Sequence, residues 1–233
     1  GVQTCALPIF HLVITGFNSR RWSASLLNGR FQVIHDRLTG GNDETFYRDG
    51  LGIGLAAGKT AGYIAAAGFD GVEIFDNDLV YYPGSPAQIR DLCAELGLEI
   101  LLFQPFRDLE GGPRESLAQN LSRAARKFDV MQQLGCSRML LCSNVSPDSS
   151  EDMATQVSDL RALAELAAEY DITVGYEALA WGRHVNLWRD AWARVKAVDH
   201  PALGIILDTN GKTKRRFDNA GKGAGQGNKN DSR

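Results

Sequence analysis

The sequence predicts an α/β fold: part of a (β/α)8 barrel, about five parallel strands with outer helices, not closed. Three observations predict it. Five short runs, apolar on both faces, begin 27 to 40 residues apart, as strands buried between helices do. Segments of helical period fill the gaps, the alternation that βαβ units produce. That alternation covers only residues 62–209 of 233, whereas a complete barrel takes about 250 residues.

Residues 1–61 precede the pattern. Phe10–Thr15 and Phe31–His35 read as candidate strands, but Arg20-Arg21-Trp22-Ser23 between them is no crossover helix. Gly52, Gly54 and Gly58-Lys59-Thr60 imitate a phosphate loop, whose motif needs four residues between its first glycine and Gly-Lys-Thr. Three residues separate Gly54 from Gly58, five separate Gly52 from it, and Ile53 stands where the glycine belongs. Nucleotide binding is not predicted.

The first apolar run is Gly71–Phe75. Ser85-Pro86-Ala87-Gln88 then forms a capping box with proline at the first helical position. Ile89, Leu92, Cys93 and Leu96 follow as its apolar stripe, and Gly97 ends it. The second run is Leu98–Phe103, after which Leu117, Leu121, Ala125, Phe128, Met131 and Leu134 draw one helical face closed by Gly135. Arg138–Cys142 is the third run, and Ser150 opens a helix through Met153, Val157, Leu160, Ala164 and Ala167. Ile172–Tyr176 is the fourth run, and Asn186 caps a helix carrying Trp188, Trp192 and Val195. Leu203–Leu207 is the fifth.

Charge is uneven along the chain. Residues 211–233 hold seven Lys/Arg against Asp218 and Asp231, while the other 210 residues hold 18 basic and 26 acidic side chains. That tail has five glycines and a single aromatic residue, too little apolar surface to order itself, so it is expected to be disordered. A nucleic-acid or targeting arm is the other reading of Lys212–Arg216, and the acidic body opposes it. No nucleic-acid partner is predicted.

At 44% hydrophobic and 23% charged, the composition is that of an ordinary globular domain. No run approaches the roughly 18 apolar residues of a membrane span, so no membrane partner is expected. The first ten residues, GVQTCALPIF, are too short and uncharged for a secretory signal. Cys5, Cys93, Cys136 and Cys142 are spaced for neither a disulfide framework nor a zinc finger, which leaves a reduced, cytoplasmic compartment as the expectation.

Five stretches carry a resemblance: IAAAGFDGVEIFDNDLVYY, LCAELGLEILLFQPFRDLEG, LLCSN, GYEALAWGRHVN and DHPALGIILD. Together they resemble the bacterial 3-dehydroshikimate dehydratases of the xylose-isomerase-like TIM-barrel superfamily, which also holds sugar-phosphate isomerases and epimerases. Many members of that group are fused to a domain resembling 4-hydroxyphenylpyruvate dioxygenase. GYEALAWGRHVN and LLFQPFRD are specific to the dehydratase group, whereas AGFDGVE marks only the superfamily. The resemblance runs from Tyr63 to Asp208. Residues 1–61 do not resemble the family's first strand, and GVQTCALPIF looks like a translated sequencing adapter. After Asp208 the family continues with Ser-Phe-His, where this chain reads Thr209-Asn210-Gly211. The expectation is therefore a fragment: a non-matching segment 1–61, a partial barrel 62–210 and a basic tail 211–233.

The resemblance implies a divalent-metal-dependent hydro-lyase of aromatic catabolism that converts the small molecule 3-dehydroshikimate to protocatechuate and water. Another sugar-phosphate isomerase or epimerase of the same barrel type is the alternative. Glu177 and Asp208 end apolar runs, where carboxylates suit Mg²⁺, Mn²⁺ or Co²⁺ or stand solvated. By resemblance they are two of the family's four metal ligands, the other two lying on later strands without counterpart here. The family's general base is expected at position 211, a glycine, so no catalytic base is assigned. Arg107 is the candidate for the substrate carboxylate, which its guanidinium fork matches, or else a surface arginine paired with Asp108 or Glu110. His184 is a candidate for substrate hydroxyls or carboxylate, and Glu73 and Gln104 are candidates for lining the pocket. Tyr81 and Tyr82 cover the mouth or pack locally, Trp181, Trp188 and Trp192 are expected to pack, and so are Cys136 and Cys142.

Overall fold

The computed structural model describes residues 9–12, 33–34, 61–62, 65 and 71–208, with the backbone alone at 9–12, 33–34, 81 and 208. Seven stretches are strands: β1 (Ile9–Leu12), β2 (Val33–Ile34), β3 (Gly71–Phe75), β4 (Glu99–Phe106), β5 (Arg138–Cys142), β6 (Thr173–Glu177) and β7 (Leu203–Asp208). They form one sheet in the order β1-β7-β6-β5-β4-β3-β2, every pair parallel. The five predicted runs are β3 to β7, in sequential order. The five-stranded open wall stands as expected, and among the described residues the two candidate strands of residues 1–61 add one short strand to each edge. An exposed parallel edge presents unpaired N–H and C=O groups, and a short apolar segment in extended conformation satisfies some of them. The order is linear, and among the described residues β1 and β2 do not pair with each other. The glycine-rich stretch 52–60 and the tail 211–233 lie outside the described residues.

The helices are α1 (Asp76–Tyr81), α2 (Pro86–Glu95), α3 (Leu117–Leu134), α4 (Met153–Glu169) and α5 (Trp188–Val198). The expected capping box opens α2: Gln88 N donates to Ser85 Oγ at 3.3 Å, and Ser85 N to Gln88 Oε1 at 2.7 Å. Gly97 and Gly135 follow α2 and α3 in the left-handed region, φ 71° and 67°, where a side chain would be strained. Two starts differ from expectation. Asp152, not Ser150, caps α4, its carboxylate accepting from Thr155 N at 2.8 Å, while Ser150 Oγ accepts from Asp152 N. Leu187, not Asn186, precedes α5, and Asn186 donates its side-chain amide to Gly182 O instead. The short α1 was not expected, and Asp78 holds its start by accepting from Phe75 N at 2.9 Å.

Side-chain alternation divides the apolar residues into two layers. Met139 and Leu141 face a large core with Phe128, Met131, Leu160 and Val195 of the helices. Their neighbours Leu140 and Cys142 face a smaller cluster with Leu102 and Ile206 on the other side of the sheet. The second cluster is the inner face of the barrel wall, and this explains why these strands read as apolar on both sides.

Candidate active site

Barrel chemistry gathers at the C-terminal ends of the strands, and the register shows which residues meet there. Phe106 pairs with Leu141, which sets Arg107 beyond β4 beside Cys142 on β5. Cys142 pairs with Glu177, and Glu177 with Ile206, two positions before Asp208. One row thus crosses four strands, from Arg107 through Cys142 and Glu177 to the end of β7.

Burial and charge in this row are coupled. Burial pushes the Cys142 thiol up to about 12, the Glu177 carboxylate adds to the rise, and the Arg107 guanidinium, hydrogen-bonded to it, opposes. Glu177 itself is 9% exposed. One strand further, Gln104 donates its side-chain amide to Glu73, and both are buried. Four of the expected site residues, Glu73, Gln104, Arg107 and Glu177, therefore lie at one end of the sheet. The fifth, Asp208, has its backbone there, paired with Leu12.

His184 stands apart from this row. Its Nε2 lies 2.8 Å from Ser149 O, so the ring bridges the loop after β6 to the loop after β5. Other contacts reinforce that bridge: Ser143 Oγ accepts from Leu179 N at 2.9 Å and Arg183 N donates to Asn144 O at 2.8 Å. A side chain at Gly182 would collide with Ser143 Oγ and Val185 O, so only glycine lets the two loops approach this closely. Leu179 turns inward onto the cluster of Leu102, Leu140, Cys142 and Ile206.

Two expectations are corrected. Glu110 is no surface partner for Arg107: it is 1% exposed and accepts from Tyr176 Oη at 2.8 Å and Asn144 N at 2.5 Å. Burial pushes its carboxyl up to about 7 against those two hydrogen bonds, and the nearby Arg194 lowers it slightly. Trp181 does not pack, being 69% exposed on the loop that follows Glu177. Of the two readings given for Tyr82, the structure favours local packing, since its side chain is half-buried against the helical core. Cys93 and Cys136 are buried with thiols raised to about 11, the behaviour of packing residues.

The donor chemistry suits a hard divalent cation as far as it goes. Glu177 ends β6 with a buried carboxylate, and the backbone of Asp208 ends the adjacent β7, at the end of the sheet where such ions sit in barrels. Among the described residues, no three His, Cys, Asp or Glu side chains come together to hold an ion. Among them, too, no helix is long and apolar enough to cross a membrane.

Comparison with known proteins agrees with the geometry. Over 146 residues the chain is 60% identical to the 3-dehydroshikimate dehydratase of Pseudomonas putida, a stretch covering 63% of this chain and 23% of that protein. The chain thus spans about a quarter of that relative's length. A solved xylose isomerase-like TIM barrel/4-hydroxyphenylpyruvate dioxygenase fusion protein is 57% identical, with a TM-score of 0.65 over 65% of this chain and 24% of that one. The IolI protein, solved with a zinc atom bound, has a TM-score of 0.60 at 16% identity, over 66% of this chain and 58% of that one, and shares the fold. The family described as a xylose isomerase-like TIM barrel matches residues 61–210, through all five strands that carry the candidate site. With that match over most of its length and the parallel sheet to support it, the chain belongs to the xylose isomerase-like TIM barrel family.

Proposed function

We propose that this chain is part of a divalent-metal-dependent 3-dehydroshikimate dehydratase. The observation that carries the reading is the row in which Arg107 and Glu177 flank Cys142 at the C-terminal end of the sheet, in a stretch 60% identical to a named dehydratase. Its substrate loses one water to give the aromatic product protocatechuate.

Glu177 and Asp208 are the residues that would hold the cation. When bound, such an ion supplies positive charge that polarises a ketone and acidifies the adjacent C–H. Arg107 binds the substrate carboxylate through its planar fork, which fixes the ring's orientation. Glu73 and Gln104 bind substrate hydroxyls. His184 Nε2 is held by Ser149 O, which leaves Nδ1 as the ring nitrogen for substrate. Leu102, Leu140 and Ile206 keep water from the inner face below. Gly211 has no side chain to accept a proton, and general-base assistance is worth about a hundred- to ten-thousand-fold.

Residues 1–61, 62–210 and 211–233 are accordingly read as three segments, of which the second carries the site. The 233 residues alone are expected to give no protocatechuate at any concentration of Mg²⁺ or Mn²⁺. Replacing residues 209–233 by the segment that follows the matched stretch in the Pseudomonas putida protein should restore it, measured as ultraviolet appearance of the aromatic product. In that chain Glu177→Ala and Asp208→Ala should each lower turnover at least about 100-fold, and Arg107→Ala should raise KM. Turnover that survives Glu177→Ala would show the site to be misplaced. Epimerisation of a ketose with no aromatic product would favour the isomerase/epimerase alternative.

A further inference from the structure

Asp108 is the residue just past Arg107, and its φ of 61° puts a non-glycine residue in the left-handed region. That backbone is strained for an L side chain, and such strain persists only where surrounding contacts over-determine it. Here the contacts come from one turn of α3. Asn120 Nδ2 donates to Asp108 O at 3.0 Å, and Arg123 Nη2 donates to Arg107 O. Asn120 and Arg123 are three residues apart and so lie on one helical face. The turn is pinned at both sides as well, since Phe106 and Leu109 are each 1% exposed.

Arg123 shows further signs of being held for this purpose. Its guanidinium lies over the Phe106 ring, 4.8 Å from the centroid, which fixes the plane of the fork. Its Nε is buried without a hydrogen-bond partner, a cost the fold bears while keeping the fork against the Arg107 carbonyl. Helix α3 thus grips the peptide on each side of the strained residue from behind, and the Arg107 side chain leaves on the opposite side toward Cys142.

We propose that Asn120 and Arg123 are positioning residues that aim Arg107 across the mouth of the barrel wall. The inference rests on the reading of Arg107 as the carboxylate partner only for what the aiming is for. The aiming itself can be measured without ligand.

The test is nuclear magnetic relaxation of the Arg107 Nε–Hε group in the full chain, assigned by its loss in Arg107→Lys. In the parent it should relax as an ordered group. Asn120→Asp keeps the shape and removes the donor, and Arg123→Met keeps the stem and removes the fork. Each should lower the Arg107 order parameter about twofold, while the melting temperature stays within about 3 °C, as for most half-exposed substitutions. Arg123→Lys retains a donor for the same carbonyl and should restore order. A merely structural role would move the melting temperature and leave Arg107 as ordered as before, and that result overturns the proposal. A protocatechuate titration separates the two readings. Unchanged affinity in Arg107→Ala refutes Arg107 as carboxylate partner, whereas ordered Arg107 in both α3 variants refutes the brace alone.

Discussion

Burial of Glu110 beside Tyr176 has a consequence for pH. Its carboxyl is raised from the ordinary 4.5 to about 7, and burial is the leading cause. The unfolded chain ionises this group first as pH rises, so the stability tied to the protonated form is complete below about 4.5 and lost by about 7. The difference amounts to roughly 3 kcal/mol. Glu110→Gln keeps the acceptor that Tyr176 Oη and Asn144 N use but cannot ionise. Urea denaturation at pH 5 and pH 8 should show the parent losing more stability than the variant, and equal losses would contradict the assignment. Sequence reasoning missed Glu110 because Asp108 and Glu110 look alike beside Arg107, and nothing local says which carboxylate is swallowed by the fold. Glu177 and Gln104 stand out as candidates because each directly follows an apolar run, whereas Glu73 lies inside one and Arg107 follows the Gln104-Pro105-Phe106 extension of another. Trp181 lies on a loop, where no helical period says which way it faces, whereas Trp188 and Trp192 share a helical face.

At the scale of elements, helix ends that rely on a local motif are legible, and those that rely on tertiary contacts are not. Ser85-Pro86-Ala87-Gln88 closes its box within four residues, so the start of α2 was readable. Ser85→Ala should cost about 1 kcal/mol, seen as a lower midpoint in chemical denaturation, and an unchanged midpoint would show the box to be idle. The start of α4 slid from Ser150 to Asp152 because Ser150 O is taken by Gln156 Nε2 at 2.7 Å and its N–H donates to Gly111 O at 2.7 Å. Gln156 lies within α4, but Gly111 lies in another loop, which no local window of sequence contains. The same loop is tied to α4 by Asp159, fully buried, which accepts from Gly111 N at 2.9 Å and pairs with Arg114. Strands were the easiest elements to read, since all five long runs are apolar toward both layers.

For the molecule as a whole, the sheet is linear and all parallel, and its edge strands are very short. β2 contributes two residues and β1 four, each paired on one side among the described residues. Unpaired parallel edges recruit further strands from other copies. Sedimentation velocity should therefore show an s-value that rises with protein concentration, and a single monomeric species across the range would contradict this. The edge pairing also carries a consequence for synthesis. Ile9 pairs with Ile205, so β1 leaves the ribosome 196 residues ahead of the strand it pairs with. At about 5 to 20 residues per second, that is a delay of roughly 10 to 40 s. Through that interval β3 to β6 can add to one another in the order they emerge, while β1 waits without its partner strand, open to chaperones and proteases.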